Sequence, residues 1–365
     1  MTDGDKLILN ISSGTPGMKG ALLVLGSLGE IECQCVRVDL NKNIIELPWP
    51  GRSLLHEEIA KKLANSPEKS DRTKTEVLEN LIYITQRRQI AEFVRSYDYD
   101  AAYSMAKGLK RVLTAQYLDL LEAAKNRSHL MLGNVRRYES KFSAKILPFD
   151  GQKSNLFEYA LECDLKLKRG ELADFIRSLS PLIFDLFRLI CEANTPVTEP
   201  FLAKFTFKSK RNGALCWDRA KLESEASNGN QTASDVFNVF RRNYRNGPWT
   251  QEFRLSKPIL IQSDNFCRLI EGLCCDPSLR ADVCRMREIE NTVRNCAAHQ
   301  MISVSEDLIR KMTCGKDQKE PMTSGDIMRL VKRLFSYRPC EIAPEAPEWN
   351  SYDAMNDAIA ARLGE

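Results

Sequence analysis

The chain has 365 residues, 43% hydrophobic and 28% charged, with a net charge of +4. This composition suits a globular protein of two or three domains and excludes a disordered one. The small basic excess permits a nucleic-acid partner without demanding one, and no apolar run approaches the ~20 residues of a membrane-spanning helix.

The N-terminal stretch MTDGDKLILNISSG carries acidic residues where a secretion signal carries basic ones, so a cytoplasmic protein is expected. The twelve cysteines are scattered. Cys33 and Cys35, and Cys274 and Cys275, are the only close pairs, and no C-x-x-C occurs. Reduced, mostly buried thiols are expected rather than a metal site.

Residues 6–11, KLILNI, have the pattern of a short buried strand. The small-residue loop SSGTPG follows, then MKGALLVLGSL as a helix, then EIECQCVRVD as a second strand. Together they predict one right-handed crossover unit. ELPWPGRS (46–53) marks a domain boundary, and residues 64–75 read as a polar loop.

From about residue 76 the period is helical. Ile90, Phe93, Val94 and Tyr97 share one face, and YDYD offers a cap at Asp98 or Asp100. Ala102, Met105, Leu109, Val112, Leu113, Gln116, Leu120 and Ala124 trace one long helix. Leu172 to Ile190 continues the pattern, and Ser180-Pro181 predicts a restart, hence two consecutive helices. FLAKFTFK (201–208) and ILIQ (259–262) are weak strand candidates. Residues 221–234 read as a polar loop. The segment from 338 reads as extended, with a short helix at 351–363.

Three segments carry candidate chemistry. The first is NTVRNCAAHQ, residues 291–300. On a helix, Met286, Ile289, Val293, Cys296 and Ala297 form one apolar stripe. Arg294, Asn295 and His299 lie off its centre, and Asn295 and His299 share a face. Arg294 is about 140° from His299 around an ideal helix, so the pair serves one substrate best when two copies pack across a two-fold axis. A histidine near its neutral-pH transition can move a proton at a ribose 2′-OH or a leaving 5′-oxygen. An arginine stabilises the charge building on phosphorus. No metal is needed, and DNA, lacking the 2′-OH, would be spared. The plainer alternative is a helix histidine paired locally.

The second segment is NISSGTPGMKG (10–20). Backbone N–H groups at such a strand–helix loop point at a phosphate, the hydroxyls of Ser12, Ser13 and Thr15 add donors, and Lys19 adds charge. An ordinary turn is the alternative. The third is the pair of basic runs KSKR (208–211) and RRNYRNGPW (241–249), which suit a phosphate backbone with base stacking, or simply a solvated surface.

These pieces together resemble the CARF–HEPN ribonucleases of type III-A CRISPR systems, the Csm-type accessory RNases. LNISSGTPGMKGAL is similar to the loop motif of their CARF domain, YDYDAA to the start of the middle helical region, KRGELADFIRSLSPLIFDLF to the opening of the HEPN domain, and RNCAAH to the R-x4-H motif. The resemblance implies a mainly α fold. A small partial Rossmann-like CARF piece (1–47) precedes a helical connecting region (48–150), a HEPN domain (151–340) and a tail (341–365). The N-terminal half of the CARF domain is expected to be missing from the chain.

The resemblance further implies a homodimeric, metal-independent endoribonuclease with Arg294 and His299 catalytic and Asn295 in support. Its substrate would be single-stranded RNA, with no stable DNA binding and no membrane. Ser12, Ser13, Gly14, Thr15, Met18 and Lys19 would bind an activating cyclic oligoadenylate, by analogy the hexa-adenylate ring, and Thr15 or a neighbouring hydroxyl is where self-cleavage of the activator would be sought. A toxin-like HEPN RNase without an activator, and a non-catalytic binding protein, are the alternatives.

Overall fold

The structure is a computed structural model. It describes residues 7–10, 14–28, 33–38, 73–76, 81–109, 113–210, 213–243, 259–294, 303–314 and 320–363. The chain divides into two compact units, Met1–Leu118 with Leu363–Glu365, and Asp119–Arg362.

In the first unit, strand β1 (Leu7–Asn10) leads into helix α1 (Pro16–Leu28) and strand β2 (Cys33–Val38). β1 and β2 pair in parallel, Leu7 opposite Cys33, which is the crossover unit expected from the sequence. A third strand, β3 (Thr73–Glu76), pairs antiparallel with the far edge of β2, Val38 opposite Thr73. The polar loop expected over 64–75 thus ends in a strand. Pairing there uses backbone N–H and C=O groups, which a hydrophobic pattern does not report.

Helices α2 (Leu81–Arg95) and α3 (Tyr99–Gly108) follow, and Asp98 caps α3 by accepting from the Ala101 N–H at 3.0 Å. Ile90, Val94, Tyr99, Ala102 and Ala106 are buried between and beneath them. The long helix expected over 102–124 is two. α3 ends at Gly108, and α4 (Ala115–Ser128) starts afresh where Thr114 Oγ1 accepts from the Tyr117 N–H at 3.2 Å. A new N-cap satisfies donors that a continuous apolar face cannot.

The second unit is helical around one long element. α5 (Leu132–Phe142) and α6 (Gln152–Lys168) precede α7 (Leu172–Asn194), which buries Phe175, Ile176, Leu179, Leu182, Ile183, Leu186, Phe187 and Ile190. The restart expected at Ser180-Pro181 does not occur; Pro181 lies inside one helix. An interior proline costs ~3 kcal/mol, whereas each of those eight buried side chains contributes roughly 1.5–3 kcal/mol.

α8 (Glu199–Phe205) runs into a small antiparallel sheet of order β4-β5-β6, formed by Thr206–Lys208, Leu215–Trp217 and Ile259–Leu260. The loop expected over 221–234 is mostly helical, as α9 (Arg219–Ser227) and α10 (Gln231–Asn243). Only Ala233, Val236, Val239 and Phe240 of α10 are buried, so its apolar stripe is short and mostly lies beyond the polar stretch.

α11 (Ser263–Leu273) and α12 (Pro277–Ile289) lead to a π-helical turn, Glu290–Arg294; α13 (Glu306–Cys314) and α14 (Ser324–Phe335) follow. Gly272 lets α11 approach α10, since a Cβ there would meet Val239 Cγ2 at 2.7 Å. A 3-10 turn (Pro347–Asn350) and α15 (Ser351–Leu363) end the described chain. Trp349 is buried, with ring centroids 4.6 Å from Phe157 and 5.4 Å from Phe335. The segment read as extended is therefore packed into the core at that residue.

Cys163, Cys191, Cys216, Cys267, Cys274, Cys275, Cys284, Cys314 and Cys340 are free, and the first five of these are buried. Among the described residues no helix is long and apolar enough to cross a membrane.

Candidate active site

The motif segment is launched by a well-formed helix start. Asp276 caps α12, accepting from the N–H groups of Ser278 (2.8 Å) and Leu279 (3.2 Å), with Pro277 in the first turn. The predicted apolar stripe holds at Met286, Ile289 and Val293, all buried. After Ile289 the helix widens into the π-helical turn, whose last residue is Arg294. Such turns expose backbone and re-aim side chains, and they occur often at functional sites. Asn295 and His299 lie outside the described residues.

The base of this turn is a buried charged network. The Glu290 side chain is 8% exposed. Its Oε2 accepts from Ser263 Oγ at 3.0 Å and from Arg287 Nη1 at 2.6 Å. Arg287 Nε stands 3.5 Å from Asp264 Oδ1. A buried carboxylate needs such compensation. The network ties the start of α11 to the start of the turn. At that start, the Gln262 N–H donates to Asn265 Oδ1 at 2.9 Å in a capping box.

A cleft of about 530 Å³ opens beside the turn. Arg177 and Phe184 of α7 form one wall, Gln262 and Ser263 another, and Arg287, Glu290 and Asn291 the third. Sequence reasoning missed these residues. They come from three distant segments, and the only local signal was the helical spacing of Arg177, Pro181 and Phe184, which reads as an ordinary face.

The N-terminal loop is built as a helix entry. Gly14 has φ +108°, a conformation other residues rarely adopt. Thr15 Oγ1 accepts from the Met18 N–H at 3.3 Å and the Thr15 carbonyl from the Lys19 N–H at 3.0 Å. Gly14, Thr15 and Met18 are exposed and Lys19 is half-buried. Ser12 and Ser13 lie outside the described residues. Of the basic runs, Lys208, Lys210, Arg241 and Arg242 are exposed, and Arg211 and residues 244–249 lie outside the described residues.

Residues 146–360 match the family model of the Csm6 HEPN domain, and residues 77–128 match that of the CRISPR-associated protein Csm6 6H domain. With the first match alone spanning more than half its length, the chain belongs to the Csm6 family. It is 24% identical over 312 residues to the CRISPR system endoribonuclease Csm6 of Mycobacterium tuberculosis, a match covering 84% of this chain and 66% of that protein. A Streptococcus thermophilus protein of the same name is 23% identical over 198 residues, covering 50% of this chain and 44% of that one. The chain thus spans just under two thirds of the first relative's length and less than half of the second's. In fold it is similar to Enterococcus italicus Csm6 bound to cyclic hexa-2′-fluoro-hexa-dAMP, with a TM-score of 0.67 and 13% identity over 98% of this chain and 75% of that one.

Proposed function

We propose that this protein is a CRISPR-associated endoribonuclease that cuts single-stranded RNA without a metal ion and acts in the cytoplasm. The observation that carries the reading is the Csm6 HEPN match over residues 146–360, which contains the turn ending at Arg294 and the rest of the R-x4-H motif. His299 takes the proton from a ribose 2′-OH, and the 2′-oxygen attacks phosphorus. Arg294 stabilises the charge on the phosphorane, with Asn295 holding the pair. The P–O5′ bond breaks and the 5′-oxygen takes up a proton, leaving a 2′,3′-cyclic phosphate and a 5′-OH. Two copies of the chain supply one composite cleft.

The same reading assigns residues 1–47 to a partial sensor, 48–150 to a connecting region, 151–340 to the nuclease domain and 341–365 to a tail. Ser12, Ser13, Gly14, Thr15, Met18 and Lys19 bind a cyclic oligoadenylate. The open, threonine-capped start of α1 supports this, because its N–H groups favour an anion. The activator raises cleavage by favouring the cutting arrangement of the dimer.

The test is cleavage of labelled single-stranded RNA by the purified chain in chelator, alone and with cyclic tetra- or hexa-adenylate. His299→Ala and Arg294→Ala are expected to lose at least about 100-fold in rate, and one ring size is expected to stimulate the wild type. Equal cleavage with and without activator keeps the nuclease and removes the switch. Activity retained in both variants overturns the site.

A further inference from the structure

The cleavage chemistry uses Arg294, Asn295 and His299, and leaves the adjoining cleft without a role. Its volume, about 530 Å³, falls within the ~300–1,000 Å³ of small-molecule sites. Its lining is unusual in what it leaves unsatisfied. Among the described residues, the buried Ser180 hydroxyl has no hydrogen-bond partner, and the buried Arg287 Nε makes no hydrogen bond beyond its 3.5 Å ion pair with Asp264. Buried polar atoms are ordinarily paired, so these two atoms beside one cleft point to a polar occupant.

The remaining lining specifies which. Phe184 is half-buried, and its ring is fixed by an edge contact to Phe266 at 5.7 Å. A held aromatic ring is a stacking surface for any nucleobase. At the rim, Arg177 pairs with Asp174 at 3.0 Å, but the two side chains are 53% and 59% exposed. Such a pair is weak and readily exchanged for a phosphate. Among the described residues, Ser263 Oγ and Arg287 Nη1 both donate to Oε2 of the Glu290 carboxylate. That carboxylate accepts only, so it favours a base edge that donates.

We propose that this cleft is a base-reading subsite, seating one nucleotide of the RNA strand beside the phosphodiester that is cut. Phe184 stacks the base, Arg177 takes a backbone phosphate, and Glu290 reads the base edge. The subsite rests on the ribonuclease reading for its place in the reaction, and the experiment separates the two.

Two variants spare the fold. Phe184→Leu keeps apolar cover on Phe266 and removes the ring, and Arg177→Ala alters an exposed side chain. Each is compared with the wild type in binding of a labelled 2′-fluoro RNA hexamer, which has no 2′-OH nucleophile, and in sequencing of the ends cut from a randomised RNA. Each variant is expected to bind about tenfold more weakly and Phe184→Leu to flatten the base preference at one position flanking the cut, with an unchanged thermal midpoint. Wild-type binding and an unaltered base profile in both variants overturn the subsite while leaving the ribonuclease reading intact. Weakened binding in the variants of a chain that cuts no RNA keeps a nucleotide site and removes the ribonuclease reading. Failure of the wild type to bind the hexamer overturns both.

Discussion

Arg127 and Glu158 form an ion pair in which both side chains are fully buried. The guanidinium grips the carboxylate through two bonds of 2.9 Å, gives a third to Ser351 Oγ at 2.7 Å, and lies 4.2 Å from the centre of the Tyr352 ring. One side chain thus joins α4, α6 and α15. Burial of two ions is tolerated only when every lobe finds a partner. Glu158→Ala strands the guanidinium and is expected to cost about 3–5 kcal/mol, read as a lower urea midpoint. Both residues lie in stretches whose sequence patterns report helix and nothing of this pairing. A partner 31 positions away leaves no local signal.

At the scale of elements, helix starts were the most legible features. Asp98 acts as the cap that YDYD announced. The start of α14 follows the same chemistry. Thr323 Oγ1 accepts from the Asp326 N–H at 3.0 Å, and the Asp326 carboxylate accepts from the Thr323 N–H at 2.7 Å. The Thr323 bonds hold the Asp326 carboxyl below its ordinary range. Since the folded value lies below the unfolded one, this contribution is complete above the unfolded value and is lost as pH falls through the folded one. Asp326→Asn is therefore expected to lower stability at neutral pH and to leave the variant less acid-sensitive than the wild type. Thermal midpoints at pH 7 and pH 3 decide this.

α7 went the other way. Ser180-Pro181 has the chemistry of a helix start, and the helix continues through it because its apolar stripe is buried on both sides. α9 and α10 were hidden similarly. Their polar residues face outward, and the turn Asn228–Asn230 between them looks like part of a longer loop. Local chemistry offers a boundary; burial by the rest of the chain decides whether it is used.

At the scale of the whole molecule, the family and its mainly α architecture follow from segments spread across the chain. On the proposed reading two copies share one composite site, and activity then depends on association. The cleavage rate per chain is expected to fall on dilution through the dimer dissociation constant, with initial rates set beside sedimentation at the same concentrations. A rate per chain that is constant while the species becomes monomeric contradicts the shared site.

The sequence by itself determined the crossover β1-α1-β2, a helix cap within YDYD, and the apolar stripe through Met286, Ile289 and Val293. Each is written in short-range chemistry: alternation, helical spacing, a capping side chain. Only the tertiary structure decided that α7 runs unbroken past Pro181, that β3 closes one edge of β2, that Trp349 anchors the last segment, and that Arg177, Phe184, Gln262 and Glu290 meet in one cleft. Those outcomes depend on which distant surfaces exclude water together. That information belongs to the folded chain rather than to any window of it.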